Sequence, residues 1–323
     1  MFIPIGLSRF ADVCFWRDAA LSRHQSAGTT ALARATEYAK LLPGVSEAAL
    51  KVVFSRKGFD SSSGGCPSPI IDGRPVSLPI PMSKPSPTRY GDMAGPVAEL
   101  VRDLTRNRLG VASWCHLDPD IVQESLPRAR GWRGALGQAS SSQSHLERQR
   151  LAPGDLFVFW GLFQEAEFRG ARWRFVGRAE HRIWGWLQAG EIIDLGLDGS
   201  FAVEERPWLH AHPHVRPYST RKNTLYVASD DLVLDGVKTG LPGSGVLAAG
   251  YRLSAGGPLK SVWAIPDWLN PLKGGCGMTY HPLARWGHDG TLRSAARGQE
   301  FVARPEGRTA WMWLRAVLND ERP

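Results

Sequence analysis

Gly154-Asp-Leu-Phe-Val-Phe-Trp-Gly161 is a short apolar run held between turn residues, with Gly-Asp at its entry. Its length, its aromatics and its bounding glycines predict a buried strand rather than a helix. The same texture continues downstream. Arg172-Trp-Arg-Phe-Val-Gly177 alternates basic with aromatic residues over its first four positions. His181-Arg-Ile-Trp-Gly-Trp-Leu-Gln-Ala-Gly-Glu-Ile-Ile193 sets glycines inside an aromatic strand, where they let it bend tightly. Further strands are predicted at Thr224–Ala228, Gly245–Ala249, Ser261–Ile265 and Gly298–Val302, and Arg308–Leu318 reads as a closing amphipathic helix. The predicted class is α+β: a β-rich mixed sheet or small barrel with a few flanking helices.

Working back from residue 153, the segment 50–152 is loop-rich. Val52-Val-Phe54 predicts a buried strand that breaks into Ser55-Arg-Lys-Gly-Phe-Asp-Ser-Ser-Ser-Gly-Gly65. Val76–Pro81 alternates like an edge strand, since its prolines forbid a central place. Val97, Leu100, Val101 and Leu104 follow helical spacing after Pro96. Gly131–His145 carries small residues and amides without apolar periodicity and reads as a loop. Residues 1–49 form a leader of different composition, with one Ala-rich helical stretch over Thr29–Leu42 stopped by Pro43-Gly44. The leader is expected to be weakly ordered or an over-long start, and 50–323 a single domain with a β-rich half from 153.

The chain has 323 residues, 43% of them hydrophobic and 22% charged, which suits a globular protein with a sizeable core. Its net charge of +8 favours polyanionic partners over acidic ones, and the arginines are scattered rather than gathered in a tail. Thirteen tryptophans exceed the twelve phenylalanines, and indoles both fill cores and stack on bases. Cys14, Cys66, Cys115 and Cys276 form no C-x-x-C pair, which disfavours a zinc knuckle or redox dithiol and suggests reduced thiols in the cytoplasm. No apolar run is long enough to span a bilayer, so no membrane partner is expected. P-loop, dinucleotide and nucleophile-elbow signatures are missing.

Chemistry concentrates in a few places. The loop after Val52-Val-Phe54 gathers Ser55, Arg56, Lys57, Gly58, Ser61, Ser62, Gly64 and Gly65 as candidate phosphate ligands, because small polar loops at strand ends let backbone N–H groups converge on an anion. A plain turn-rich connection fits that composition equally well. His116-Leu-Asp-Pro-Asp120 sets an imidazole and two carboxylates together, suited to acid–base or metal chemistry or simply to capping the next segment. Asp60, His116, Asp118 and His145 are the candidate catalytic groups. Gln138 is the candidate reader of a base edge, and Trp160 and Trp186 are the candidate stacking platforms. His210-Ala-His-Pro-His214 points three imidazoles one way if extended, yet its proline-rich setting reads as surface, so no metal is assigned. No cofactor is identified.

Several fragments, taken as an ordered set, resemble one family. They are Phe54–Gly65 with Pro67-Ser-Pro69, Leu78-Pro-Ile-Pro81, His116–Asp120, Gly134-Ala-Leu-Gly-Gln138 with Gln143-Ser-His145, Gly154-Asp-Leu-Phe157, and Arg297-Gly-Gln-Glu-Phe-Val302. Their order resembles the nucleotide modification-associated domain 3 family of bacteria and phages. The resemblance implies a nucleic-acid or nucleotide binder linked to base modification, with DNA the partner in preference to RNA, or a free nucleotide, and with other modification-system proteins as possible associates. It equally admits an enzyme that installs the modification around the 55–65 loop, or a structural or interaction protein without a ligand. The β half is also similar, at the level of fold, to PUA and ASCH barrels, a likeness that carries no function.

Overall fold

Apolar residues on both sides of one strand require cover on both faces of a sheet. β1 (Val52–Arg56) shows this at its smallest. Val52 and Phe54 join one hydrophobic cluster, while Val53 joins another, as period-two alternation demands. The computed structural model describes residues 50–320 except 297 and 299, so the predicted leader and its helix lie outside the described residues.

The remaining strands that build the site, in chain order, are β2 (Trp114–His116), β3 (Ala135–Ala139), β4 (Leu156–Arg169), β5 (Glu180–Asp194), β6 (Asn223–Ala228), β7 (Ser244–Arg252) and β8 (Glu300–Ala303). The principal path runs β8-β1-β4-β5-β6-β3, and β7 pairs with β5 off that path. β1 lies parallel to β4 and antiparallel to β8, whereas β4–β5, β5–β6 and β6–β3 are all antiparallel. The sheet is therefore mixed, and the fold is α+β and β-rich. Among the described residues no pairing joins its two end strands, so no closed barrel forms.

The four helices among the described residues are α1 (Val97–Leu104), α2 (Ser140–Arg148), α3 (Ser200–Glu205) and α4 (Gly307–Leu318). One face of the sheet is covered by α4 and by the tryptophan-rich segment around Trp263, Trp268 and Trp286. Leu146 of α2 packs on the other face with Val53, Phe157, Phe159 and Tyr226.

Trp160 and Trp186 belong to this packing and not to a binding surface. Trp160 is 1% exposed, with ring centroids 4.8 Å from Trp263 and 5.9 Å from Phe301. Trp186 is 4% exposed and donates its indole N–H to the Pro242 carbonyl at 3.0 Å. Neither presents a face to a base, because β4 and β5 are interior strands whose aromatics interlock across the sheet.

The stretch read as an aperiodic loop, 131–145, holds β3 and most of α2. Its periodicity is hidden because the buried side of α2 is made by Gln143 and His145 as well as Leu146. The Tyr226 hydroxyl satisfies Gln143 Oε1 at 3.0 Å, so an amide can occupy a core position.

Candidate active site at the end of the central strands

β1 ends beside β4 in parallel register, with Arg56 opposite Trp160, and the Lys57 N–H still donates to the Trp160 carbonyl at 2.8 Å. The chain then turns away over Gly161, where a Cβ would stand 2.5 Å from the Lys57 carbonyl oxygen. This close crossing aims Arg56 and Lys57 into a cleft of about 290 Å³. Its other walls come from His116 at the end of β2 and Asp118 just beyond it, Gly137–Ser140 and Ser142 at the β3–α2 junction, and His214 and Tyr218. A slightly larger depression of about 340 Å³ beside Asp198, Glu204, His210 and Arg216 lacks any comparable convergence of groups.

The glycine-rich loop closes on itself and not on an external anion. Asp60 Oδ1 accepts from the Ser62 N–H at 2.7 Å, the Ser62 hydroxyl at 2.7 Å and the Ser63 N–H at 2.8 Å. Gly65 donates its N–H to the Asp60 carbonyl at 2.9 Å, and Arg56 pairs with Asp60 Oδ2 at 2.7 Å. The loop's own carboxylate thus occupies the nest that a phosphate would need. Ser61, Gly64 and Gly65 do not line the cleft, whereas Arg56, Lys57, Gly58, Asp60 and Ser62 do. Ser55 is fully buried, and its hydroxyl donates to Glu300 Oε1 at 3.1 Å.

Behind the loop, Lys57 is held between two carboxylates, with Nζ 3.4 Å from Asp118 Oδ2 and 4.0 Å from Glu300 Oε1. Glu300 also accepts from Gln138 Nε2 at 2.7 Å, which ties the amide of this cleft-lining residue to a buried carboxylate. Burial raises the Glu300 pKa, against the opposing pull of Lys57 and the hydrogen bonds from Ser55 and Gln138. Burial also pushes Asp118 upward, but Lys57 and the nearby His212 ring outweigh it and hold its carboxyl well below the usual range.

His116, Asp118 and His214 meet on the cleft floor. Their ligand-type atoms all lie within 4.8 Å of one another, and His116 Nε2 is 3.2 Å from His214 Nε2. The peptide bond between Asp118 and Pro119 is cis. Asp118 Oδ1 accepts from the Gly137 N–H at 2.6 Å. A Cβ on Gly137 would sit 2.1 Å from the His214 ring, so glycine here both donates to the carboxylate and makes room for the imidazole. Burial pushes His116 down to about 4 and His214 down to about 3, with Asp118 opposing in each case, so both rings are neutral near pH 7.

The histidine run does not lie on the surface as its composition suggested. Pro207–Ala211 and Pro213–Val215 wind as tight 3₁₀ turns, which leave the His212 and His214 rings neighbours, 5.7 Å apart, and turn His210 away. His210 stays exposed, while His212 and His214 are 2% and 3% exposed. His145 is also displaced from its expected role. It sits on α2 against Thr279, 3.1 Å away, and Tyr280, outside the cleft. Asp120 is taken by a two-pronged ion pair with Arg128.

The sequence profile for nucleotide modification associated domain 3 matches residues 51–304. The chain belongs to that family. The matched span includes every cleft residue named above, from Arg56 through Tyr218, together with Glu300 behind them. No curated protein and no solved structure matches the chain. Membership in the nucleotide modification associated domain 3 family ties the protein to nucleotide modification and leaves its chemistry to be argued from the site. Glu300 is a site residue that sequence reasoning missed, and His214 is one that it named within the 210–214 run and set aside as surface. The signal for Glu300 was a lone carboxylate in an apolar strand, since such a residue is rarely buried without a partner.

Proposed function

We propose that the protein binds a nucleotide unit, free or within a DNA strand, in this cleft and acts on it chemically as part of a modification system. The observation that carries this reading is the convergence of His116, Asp118, His214 and Lys57 within about 3–4 Å on the floor of one cleft. Buried, partly neutralised groups of this kind are costly to a fold and are typical of reaction centres.

The rim supports an anionic ligand. α2 begins at the cleft with Ala139 as its N-cap, and the Ser140 N–H donates to the Lys222 carbonyl at 2.8 Å, so what this end presents to a negative group is the positive end of the helix dipole. Ser140, which lines the same rim, holds a left-handed φ of 54°, a conformation that a non-glycine residue seldom adopts and that clusters at functional sites. The Lys57 ammonium lies just below. Phosphate would be met by α2 and Lys57 and not by the 61–65 backbone, whose donors serve Asp60.

A binding-only role is the second reading, supported by the net charge of +8. The ion pairing of both Arg56 and Lys57 weighs against it, because carboxylates beside them offset part of the charge that a polyanion would meet. The two readings separate by experiment. Nucleoside mass analysis of host DNA and RNA, with and without the protein, yields a protein-dependent nucleoside under the first reading. Salt-sensitive DNA binding with unchanged nucleosides supports the second.

A further inference from the structure

We propose that His116 Nε2, His214 Nε2 and the Asp118 carboxylate hold a first-row divalent transition ion, zinc or iron(II), with its remaining coordination positions open to the cleft. As a statement about what the cleft does, this deepens the reading above and rests on it. As a statement about binding, it stands on the geometry alone.

The hydrogen-bond network fixes the ring nitrogens. Asn223 Nδ2 donates to the His214 carbonyl at 3.0 Å, which orients the amide and turns its oxygen toward the ring. His214 Nδ1–H therefore donates to Asn223 Oδ1 at 2.7 Å, and Nε2 keeps a lone pair directed at the cleft floor. An imidazole whose far nitrogen is tied to an oxygen acceptor is the usual arrangement of a metal-ligating histidine. The carboxylate is braced on one side. The His214 N–H donates to His212 Nδ1, which puts the His212 proton on Nε2, 3.5 Å from Asp118 Oδ1 and short of a hydrogen bond. Gly137 holds that same oxygen at 2.6 Å, which leaves Asp118 Oδ2 facing inward.

The spacing is that of neighbouring ligands. Two imidazole nitrogens on one tetrahedral ion, each at about 2.0–2.1 Å, stand about 3.3 Å apart. His116 Nε2 and His214 Nε2 are 3.2 Å apart. Asp118 Oδ2 is 4.0 Å from His214 Nε2, and the three donor atoms all lie within 4.8 Å of one another, so the carboxylate draws in by on the order of 1 Å to complete the set. The buried Nδ1 of His116 has no hydrogen-bond partner, so this ring, unlike that of His214, is held on its cleft side alone, through the 3.2 Å approach of the two Nε2 atoms.

The donor set decides the kind of ion. Calcium and magnesium prefer all-oxygen shells, whereas two imidazoles and a carboxylate suit zinc or non-haem iron(II). Three protein ligands with a face open to a cleft match a reactive rather than a structural centre. Lys57, 3.4 Å from Asp118 Oδ2, would flank the open positions and meet an anionic group of whatever binds there.

The test is a metal titration of the full chain without nucleotide, so its outcome is independent of the nucleoside analysis. Chelator-stripped protein is reloaded with zinc, and in an anaerobic arm with iron(II), and the bound ion is counted. The wild type is expected to hold about one ion per chain; affinity alone does not name the native ion, because sites of this kind bind zinc more tightly than iron(II) in general. His116→Gln and His214→Gln are each expected to weaken binding by about 100-fold or more, beyond the 10–100-fold typical of outer-shell losses. His210→Gln, at the exposed member of the run, is expected to bind as the wild type does. X-ray absorption of the zinc-loaded wild type needs no variant to fold, and it is expected to show nitrogen and oxygen neighbours only. Less than a tenth of an ion per wild-type chain, unchanged binding in both Gln variants, or sulfur in the zinc shell would each overturn the proposal.

Discussion

Trp160 and Arg56 are register partners on adjacent strands, yet they belong to two regions with opposite rules. The indole enters a core where Trp263, Phe301 and His181 meet it edge-on or stacked, and where each group fills space. Arg56 opens the cleft, where polar groups are held apart by hydrogen bonds and glycines keep the space clear. The core is sensitive to what is removed from it. The cleft is sensitive to what is added, because its function depends on room and on charge placement.

The largest expected effect is on the core side. Trp160→Ala should destabilise the protein by about 3–5 kcal/mol, read from denaturant unfolding. A loss under about 1 kcal/mol would mean that Trp160 is not a core residue and would reopen its role as a stacking platform. The cleft counterpart is Gly137→Ala, where one methyl collides with the His214 ring. It should cost about 1–3 kcal/mol by overpacking and should impair the cleft's function even at temperatures where the chain stays folded. A variant of wild-type stability and function would show that the floor is looser than the geometry states.

The pH response is shared, since buried histidines of both regions are held in the neutral form. His181, in the core, is pushed down to about 3 by burial together with Arg56 and Lys260, and its Nδ1 accepts the Trp263 indole N–H at 2.9 Å. The unfolded chain binds a proton near pH 6.5 that the folded chain refuses. Stability is therefore full above about 6.5 and falls as pH drops toward about 3, by up to about 1.4 kcal/mol per unit. His181→Gln should flatten that part of the unfolding profile, and an unchanged slope would assign the titration to other groups. The smallest effect belongs to the loop. Arg56→Gln removes a partly exposed ion pair with Asp60 and should cost about 1 kcal/mol or less, because solvent screens the pair. A larger loss would make the 55–65 loop part of the folded framework and not only the cleft's rim.

The two regions also differ in how far the sequence revealed them. Strands such as Val52-Val-Phe54 and Leu156–Trp160 are legible because two-sided burial leaves an unbroken apolar run. α1 and α4 declare themselves by helical spacing of their buried residues. β3 and α2 do not, since their buried faces use glycine, an amide and an imidazole in place of hydrocarbon. In the site, Arg56, Lys57, Asp60, His116 and Asp118 were legible from local composition and do share one cleft. Their pairing with His214 and Glu300 was not. His214 arrives from 96 positions beyond Asp118 (214 − 118) and Glu300 from a strand at the far end of the chain, and only the pairing of β8 with β1 and the turn after α3 bring them in. Trp160 and Trp186 misled because indoles serve cores and ligands alike, and local sequence does not say which face a strand turns inward.

The central claim is that the cleft floor performs chemistry on a nucleotide, and Asp118→Asn tests it most directly. This near-isosteric change keeps the volume of the floor and removes its charge. Nucleoside mass spectra of DNA from cells carrying the wild type are expected to show a new nucleoside. The yield from Asp118→Asn cells at equal protein level should fall by about 10²–10⁴-fold. A wild-type spectrum identical to that of cells without the protein, or an undiminished product with Asp118→Asn, would contradict it.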